Sequence, residues 1–386
     1  MTERMPANPR PMRIRLAING RFLTQGVTGV QRVCREFTSA LDGLLARGEL
    51  PGVSARVLVP KSPNFETPRY AALPVEPVGR LKGYAWEQVE LSKAAGGDVL
   101  LCLANLAPLA RLARRDPTVV VVHDLSYKYF PSAYSQAFRA AYSIAMPVVM
   151  RQADCVITVS ESERRAILAA FPNIPGLPER LIAAANGGWS KEFLERHSGA
   201  VTPREDFALY VGTFSKRKNI DGVLQTAIRL ARNHGVRFVF AGGTNSAFAG
   251  TDMEIPSDVA TKFEFLGQVN DPDRLADLYK RAAVLVFPSH YESSGLPPIE
   301  AMALGCPVVV SRDPALVERC GEAAVYCDAR DVTSIVEAVL SVVSSPERAR
   351  QLGDAGIERA KLFSWESQVR DVLGAVDNSQ RARLSK

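Results

Sequence analysis

FALYVGTFSKRKNIDGVLQTAIRLARNHGVRFVFAGG, residues 207–243, holds one full cycle of an α/β fold. FALYVG (207–212) and RFVFAGG (237–243) are short apolar runs rich in strand-forming residues. Between them, IDGVLQTAIRLARNH carries apolar residues at helical spacing. Strand, helix, strand in that order implies parallel strands with a helix laid on the sheet face. The cycle continues downstream with FEFLGQV (263–269), AVLVFPS (283–289), PVVVS (307–311) and AVYCD (324–328). Upstream it repeats in RIRLAING (13–20), VSARVLVP (53–60), DVLLCLA (98–104), TVVVVHD (118–124) and DCVITVS (154–160). The pattern lapses only around 187–205, in GGWSKEFLERHSGAVTPRE.

At 386 residues the chain is long for one core and suits two. Its 47% hydrophobic and 23% charged content is that of an ordinary globular protein. No apolar run reaches the ~18–20 residues of a membrane span, and MTERMPANPRPMR has no apolar signal core. A cytosolic chain is therefore expected. The six cysteines, Cys34, Cys102, Cys155, Cys306, Cys320 and Cys327, stand singly. Without paired spacing or a nearby histidine, they read as small core residues rather than zinc ligands or disulfides. Residues 1–190 carry 23 Lys and Arg against 15 Asp and Glu, a surplus of eight in a chain whose net charge is +6. That half suits an acidic partner such as anionic lipid or a phosphorylated substrate, or is simply a solvated basic surface. No basic recognition helix or RNA-binding aromatic motif is present, so nucleic acid is not an expected partner.

Ligands of parallel sheets sit beyond the C-terminal ends of the strands, so residues just after strands carry the functional reading. After FALYVG come Thr213, Lys216, Arg217 and Lys218, then a helix start near Asn219. Gly212, three cations and a helix N-terminus suit a phosphate; an exposed basic turn is the plainer reading. The spacing is not that of a Walker loop. After AVLVFPS comes HYESSGLPPIEAMALG (290–305). Ser293, Ser294 and Gly295 make a small-residue turn, and Pro297 and Pro298 suit the first turn of a helix opening near Leu296. Glu292 precedes that helix and Glu300 lies inside it, where both carboxylates can accept hydrogen bonds from the hydroxyls of a sugar or ribose. The plainer reading is a capping acid and an early helical glutamate. In the first half, Gly26 and Gly29 lie in a loop after RIRLAING, without the GxGxxG spacing of a dinucleotide fingerprint. His123 and Asp124 follow the most apolar strand of the chain.

Together these clusters resemble family 4 of the retaining glycosyltransferases. The E-x7-E element from Glu292 to Glu300 and the basic turn GTFSKRKN are its most specific parts. The resemblance implies the GT-B fold: an α/β chain of two Rossmann-like parallel-sheet domains facing a central cleft. The expected domains are 1–195 on the acceptor side, 196–365 binding the nucleotide sugar, and 366–386 as a helix crossing back. The last stretch, SPERARQLGDAGIERAKLFSWESQVRDVLGAV, has two amphipathic helical patterns, and the polar residues from about Asp377 are expected to fray.

The resemblance further implies that Glu300 holds the nucleotide ribose, that Glu292 lies beside the donor sugar, and that Lys218 neutralises the donor diphosphate. His123 falls near the transferred sugar. Gly212, Thr213, Arg217, Ser294, Gly295 and Leu296 fall in the donor loops, and Gly26 and Gly29 in the acceptor and phosphate loop. Many relatives have arginine where this chain has Thr213, with Arg217 a candidate substitute, and EGFGLP where it has ESSGLP. The implied activity is that of a retaining hexosyltransferase moving a hexose, mannose from GDP-mannose or else a UDP-hexose, to a lipid-linked saccharide. The pathway class is exopolysaccharide, capsule or lipopolysaccharide biosynthesis. Cations and helix N-termini take the leaving charge; no metal site and no cofactor are expected. The basic first half would meet the inner face of the cytoplasmic membrane. Two other readings share this architecture: a nucleotide-sugar epimerase, and a non-catalytic sugar-nucleotide-binding partner in a polysaccharide assembly complex. Base selection is expected to fall in the loop region 243–270.

Overall fold

The computed structural model describes residues 13–26, 28–61, 68–197, 204–243 and 254–385. Part of the proposed base-selecting region, 244–253, and the N-terminal stretch 1–12 lie outside the described residues.

The chain forms two compact units. Unit 1 comprises 1–159, 163–184 and 365–386; unit 2 comprises 160–162 and 185–364. The sequence-based boundary at 195/196 therefore falls too late. Trp189 and Phe193 explain the displacement: both are buried in the core of unit 2, so the chain has changed units before reaching them.

Unit 1 contains β1 (Ile14–Asn19), β2 (Val53–Pro60), β3 (Val75–Val78), β4 (Val99–Cys102), β5 (Thr118–Val121), β6 (Cys155–Thr158) and β7 (Leu181–Ala183). They form one parallel sheet in the order 3-2-1-4-5-6-7. β4, β5 and β6 are buried at every position, as expected of strands covered on both faces. Alternate residues of each strand feed two cores. Leu101, Val119 and Ile157 face one; Leu100, Val120 and Val156 face the other. The first core is closed by helix Gly29–Ala46 through Leu41 and Leu44, and by helix Trp365–Leu384 through Val369, Val372 and Val376. That last helix belongs to unit 1 although it is last in sequence. Its helical span runs to Leu384, with Arg381 2.7 Å from Asp377 and Arg383 2.6 Å from Asp154.

Unit 2 contains β8 (Glu205–Val211), β9 (Arg237–Ala241), β10 (Phe263–Gly267), β11 (Ala282–Phe287), β12 (Val308–Ser311) and β13 (Val325–Cys327). They form a second parallel sheet in the order 10-9-8-11-12-13. The order reverses beside β8, which pairs with β9 on one side and β11 on the other. Such a switch point opens a crevice at the strands' carboxyl ends. The segments leaving β8 and β11 are the basic turn and the E-x7-E element.

The backbone at the ends of β8 and β9 is packed to its limit. Gly242 has φ +128°, and a Cβ there would lie 2.1 Å from the Gly212 carbonyl oxygen. Its amide donates to the Gly267 carbonyl at 2.7 Å, so three strand ends meet at this residue. All six cysteines are unbridged and buried. Burial raises every one of their thiol pKa values, those of Cys155, Cys320 and Cys327 to about 12 and that of Cys306 to about 11.

Candidate active site

In unit 2, Lys216–Lys218 form a single 3₁₀ turn capped by Ser215, whose side chain accepts from the Lys218 amide. Asn219 then takes φ +55°, a conformation asparagine tolerates better than most residues. Its side chain accepts from the Gly222 amide and donates to the Pro288 carbonyl at 3.0 Å and the Ala329 carbonyl at 2.7 Å. One buried amide thus caps helix Ile220–His234 and ties the basic turn to the segment after β11. The His290 amide, donating to the Arg217 carbonyl at 3.0 Å, makes a second tie.

These ties bring cations onto a carboxylate. Lys218 Nζ lies 2.5 Å from Glu292 Oε1 and 4.8 Å from the centre of the Phe287 ring. Arg217 Nη1 lies 3.9 Å from Glu292 Oε2 and donates to the Tyr291 carbonyl at 3.3 Å. The Lys218 and Glu292 side chains are 12% and 6% exposed. Losing one partner of so enclosed a pair would leave the other buried and poorly compensated. Thr213 is exposed, with its carbonyl accepting from the Tyr210 hydroxyl at 2.9 Å.

Asp313 stands behind Glu292. It caps helix Pro314–Cys320, accepting from the Ala315 and Leu316 amides through Oδ1 and from the Glu292 amide through Oδ2 at 3.2 Å. Burial raises its carboxyl pKa to about 6; the three amides pull it down, and the charge of Glu292 pushes it further up. The sequence reading missed this residue, although Asp-Pro before an apolar run is a helix-start signal.

Gly295 precedes helix Leu296–Ala303 at φ +61°. Pro297 and Pro298 occupy the first turn. Neither carries an N–H, so this helix offers an anion fewer donors than an ordinary N-terminus. Ser294 is buried and accepts from Asn186 Nδ2 at 2.9 Å. The Asn186 carbonyl in turn accepts from Arg319, which lies 4.0 Å over the Phe363 ring. Glu300 is 1% exposed. Its carboxylate accepts from the Tyr279 hydroxyl at 3.2 Å, and its carbonyl from Trp189 Nε1 at 3.1 Å. Tyr279 and Trp189 were likewise unmarked in the sequence, having the look of ordinary core aromatics.

In unit 1, His123 is 5% exposed. Its backbone amide donates to Asn105 Oδ1, and its Nε2 lies 2.7 Å from the Leu103 carbonyl. A carbonyl only accepts, so the proton sits on Nε2 and Nδ1 is left to act as an acceptor. Burial lowers the His123 pKa, and the Leu103 carbonyl and the Asp124 charge oppose it. Gly26 is exposed, and Gly29 opens helix Gly29–Ala46. A Cβ at either position would meet nothing within 4 Å, so the fold of unit 1 does not itself require glycine there. Among the described residues, no group of three or more His, Cys, Asp and Glu side chains is placed to hold a metal ion.

Asp313 makes this site sensitive to pH. Its native pKa, about 6, stands above its ordinary value of 3.8. Between the two, the folded chain holds more protons than the unfolded chain. Stability supplied by this group is therefore full below the ordinary value and lost as pH rises through about 6. Urea unfolding of wild type and Asp313→Asn between acid and neutral pH should show that fall in the wild type alone. Protonation also removes a negative charge beside Glu292. Parallel stability profiles for the two proteins would exclude Asp313 as the titrating group.

Two family models match the chain. Glycosyltransferase Family 4 matches residues 27–181, and Glycosyl transferases group 1 matches residues 192–359. The chain is 29% identical over 278 residues to O-antigen chain mannosyltransferase B of Escherichia coli, covering 68% of this chain and 70% of that protein. It is 27% identical over 263 residues to O-antigen chain mannosyltransferase RfbU of Salmonella typhimurium, with the same coverage, 68% and 70%. Its fold is similar to that of sucrose-phosphate synthase from Thermosynechococcus elongatus, with a TM-score of 0.68 at 20% identity over 93% of this chain and 97% of that one.

Proposed function

We propose, from the premise that this chain belongs to glycosyltransferase family 4 and is a hexosyltransferase of the GT-B fold, that it moves mannose from a nucleotide-diphosphate donor. The acceptor in this reading is a lipid-linked saccharide of a surface polysaccharide or lipopolysaccharide, in keeping with the two O-antigen mannosyltransferases it resembles. No helix among the described residues is long and apolar enough to cross a membrane. Contact with a lipid-linked acceptor would therefore use the basic surface of unit 1 at the inner face of the membrane.

One observation carries the donor reading: Lys218 and Arg217 converge on Glu292 at the carboxyl ends of β8 and β11. With donor absent, Glu292 holds the Lys218 ammonium. An incoming diphosphate competes for that ammonium and for Arg217, and so meets preformed positive charge. Glu292 is then released toward the sugar hydroxyls, as acceptor of their protons in hydrogen bonds. Glu300, held by Tyr279, accepts from the ribose hydroxyls. As the glycosidic bond breaks, negative charge grows on the leaving diphosphate, where Lys218 and Arg217 stabilise it. These cations serve the charge without a metal. In the retaining course we favour, the leaving diphosphate takes the acceptor's proton on the same face.

Nucleotide release tests this reading. The purified chain is incubated with UDP-, GDP- and ADP-sugars, with and without bacterial lipid extract. GDP release from GDP-mannose, dependent on extract and lost in Glu300→Gln, is the expected result. Tight donor binding without release under any condition would point to a non-catalytic binding partner. No binding of any nucleotide sugar would overturn the proposal.

A further inference from the structure

Unit 1 contains a polar cluster that the donor chemistry does not use. Asn19 ends β1, and its Nδ2 donates to Glu87 Oε1 at 3.1 Å and lies 3.9 Å from the sulfur of Cys102, which ends β4. The cluster thus sits at the carboxyl edge of the sheet, where parallel sheets take ligands. Glu87 is 2% exposed. It opens a π-helical turn, Glu87–Leu91, set between helical turns Gly83–Trp86 and Ser92–Ala95. Such single π turns inside a helix interrupt its regular hydrogen bonding and are frequent at functional sites. Burial raises the Glu87 pKa, against the charge of Arg21 and the bond from Asn19.

Arg21 completes the arrangement. Its Nε lies 2.8 Å from Glu87 Oε2, yet that oxygen has no hydrogen bond of acceptable geometry. The guanidinium lies 4.1 Å over the Tyr84 ring. Nη1 and Nη2 make no hydrogen bond among the described residues. Tyr84 is 52% exposed although Arg21 covers one of its faces. A buried ion pair contributes little net stability compared with apolar packing of the same volume. Its value here lies in fixing a planar donor fork against an aromatic ring.

We propose that Arg21 and Tyr84 form the contact surface for a sugar ring of the acceptor, and that Glu87 is the positioning residue that holds the Arg21 guanidinium in place. This assignment rests on the hexosyl-transfer reading. The charge of Glu87 offsets that of Arg21, so the pair offers directed N–H donors with little net positive charge. That suits a neutral polyol better than a phosphate. Two fixed N–H groups of a guanidinium can reach adjacent hydroxyls, and the uncovered face of Tyr84 can take the C–H face of the ring.

The test uses the full chain, with methyl α-mannoside, methyl α-glucoside and methyl α-galactoside as probes in saturation-transfer NMR titrations. Nucleotide-sugar affinity is measured on the same samples by calorimetry. At least one glycoside should bind, and at least tenfold more weakly to Arg21→Ala and Tyr84→Ala. Tyr84→Phe, which keeps the ring, should bind as wild type does. Glu87→Gln should weaken glycoside binding, and the Arg21→Ala/Glu87→Gln double variant should be no weaker than Arg21→Ala, because Glu87 acts through Arg21. Nucleotide-sugar affinity should be unchanged in all of them. Absence of glycoside binding to the wild type, or equal binding to wild type, Arg21→Ala and Tyr84→Ala, overturns the assignment. Glu87→Gln with a lowered melting temperature but unchanged glycoside affinity would overturn its positioning role. Glycoside binding that needs Arg21 and Tyr84, in a chain that binds no nucleotide sugar, would support this site while sinking the transfer reading.

Discussion

Lys218→Ala is expected to lower hexosyl transfer by about 10²–10³, the usual cost of removing one preorganised group that stabilises charge in the transition state. It should also destabilise unit 2. Glu292, 6% exposed, would lose its 2.5 Å partner, with Arg217 at 3.9 Å as the cation still beside it. Breaking a buried ion pair costs about 3–5 kcal/mol; the remaining guanidinium places the expected loss toward the lower end. The two effects separate in Lys218→Ala/Glu292→Gln, which leaves no buried charge behind. Stability should largely return in the double variant, while transfer stays low. Wild-type turnover in Lys218→Ala would remove the lysine from the mechanism. Recovery of turnover along with stability would reduce its part to holding the fold.

Gly242→Ala is expected to be the most disruptive single methyl group in unit 2. A φ of +128° is a strained region for any residue with a Cβ, costing about 1–3 kcal/mol. The added carbon would also stand 2.1 Å from the Gly212 carbonyl oxygen, a backbone atom that no rotamer change can move aside. Overpacking of that kind costs about 1–3 kcal/mol more. Because Gly242 also binds the Gly267 carbonyl, relaxation would pull apart the ends of β8, β9 and β10 and displace the basic turn that follows β8. The urea midpoint should fall sharply, and nucleotide-sugar affinity with it. A variant within about 0.5 kcal/mol of wild type, the range of an ordinary surface change, would show that the strand ends yield more easily than this packing implies.

The strongest patterns in the sequence became the middle of each sheet. TVVVV became β5, buried at every position, and residues 207–243 became β8, a helix and β9. What escaped notice lies at the margins. β3 is four residues, VEPV, with a glutamate and a proline at an edge where one side needs no partner, and β7 is the three residues LIA. Neither run is long enough for periodicity to register. The candidate site divides along similar lines. Lys218, Arg217 and Glu292 were legible because charge just after a strand is conspicuous, and the structure brings them together. Asp313, Tyr279 and Asn186 were not, since their importance comes from partners elsewhere in the chain; Asn219 showed as a helix start but not as a tie to the segment after β11. Glu87 is the sharpest case. WEQVEL reads as an ordinary helical segment, and only the packed fold shows a carboxylate enclosed beside Arg21.

The six enclosed cysteines give this protein a practical property. A thiol reacts with a maleimide through its thiolate, and burial with a raised pKa starves every native sulfur of that form. The natural chain can therefore serve, unaltered elsewhere, as a silent background for fluorescent labelling. Ser143→Cys in unit 1 and Glu337→Cys in unit 2 would each place one fast-reacting sulfur at an exposed helical position. A dye pair on those two sulfurs would make a molecular ruler, reading in real time whether the distance between the units responds to a nucleotide sugar.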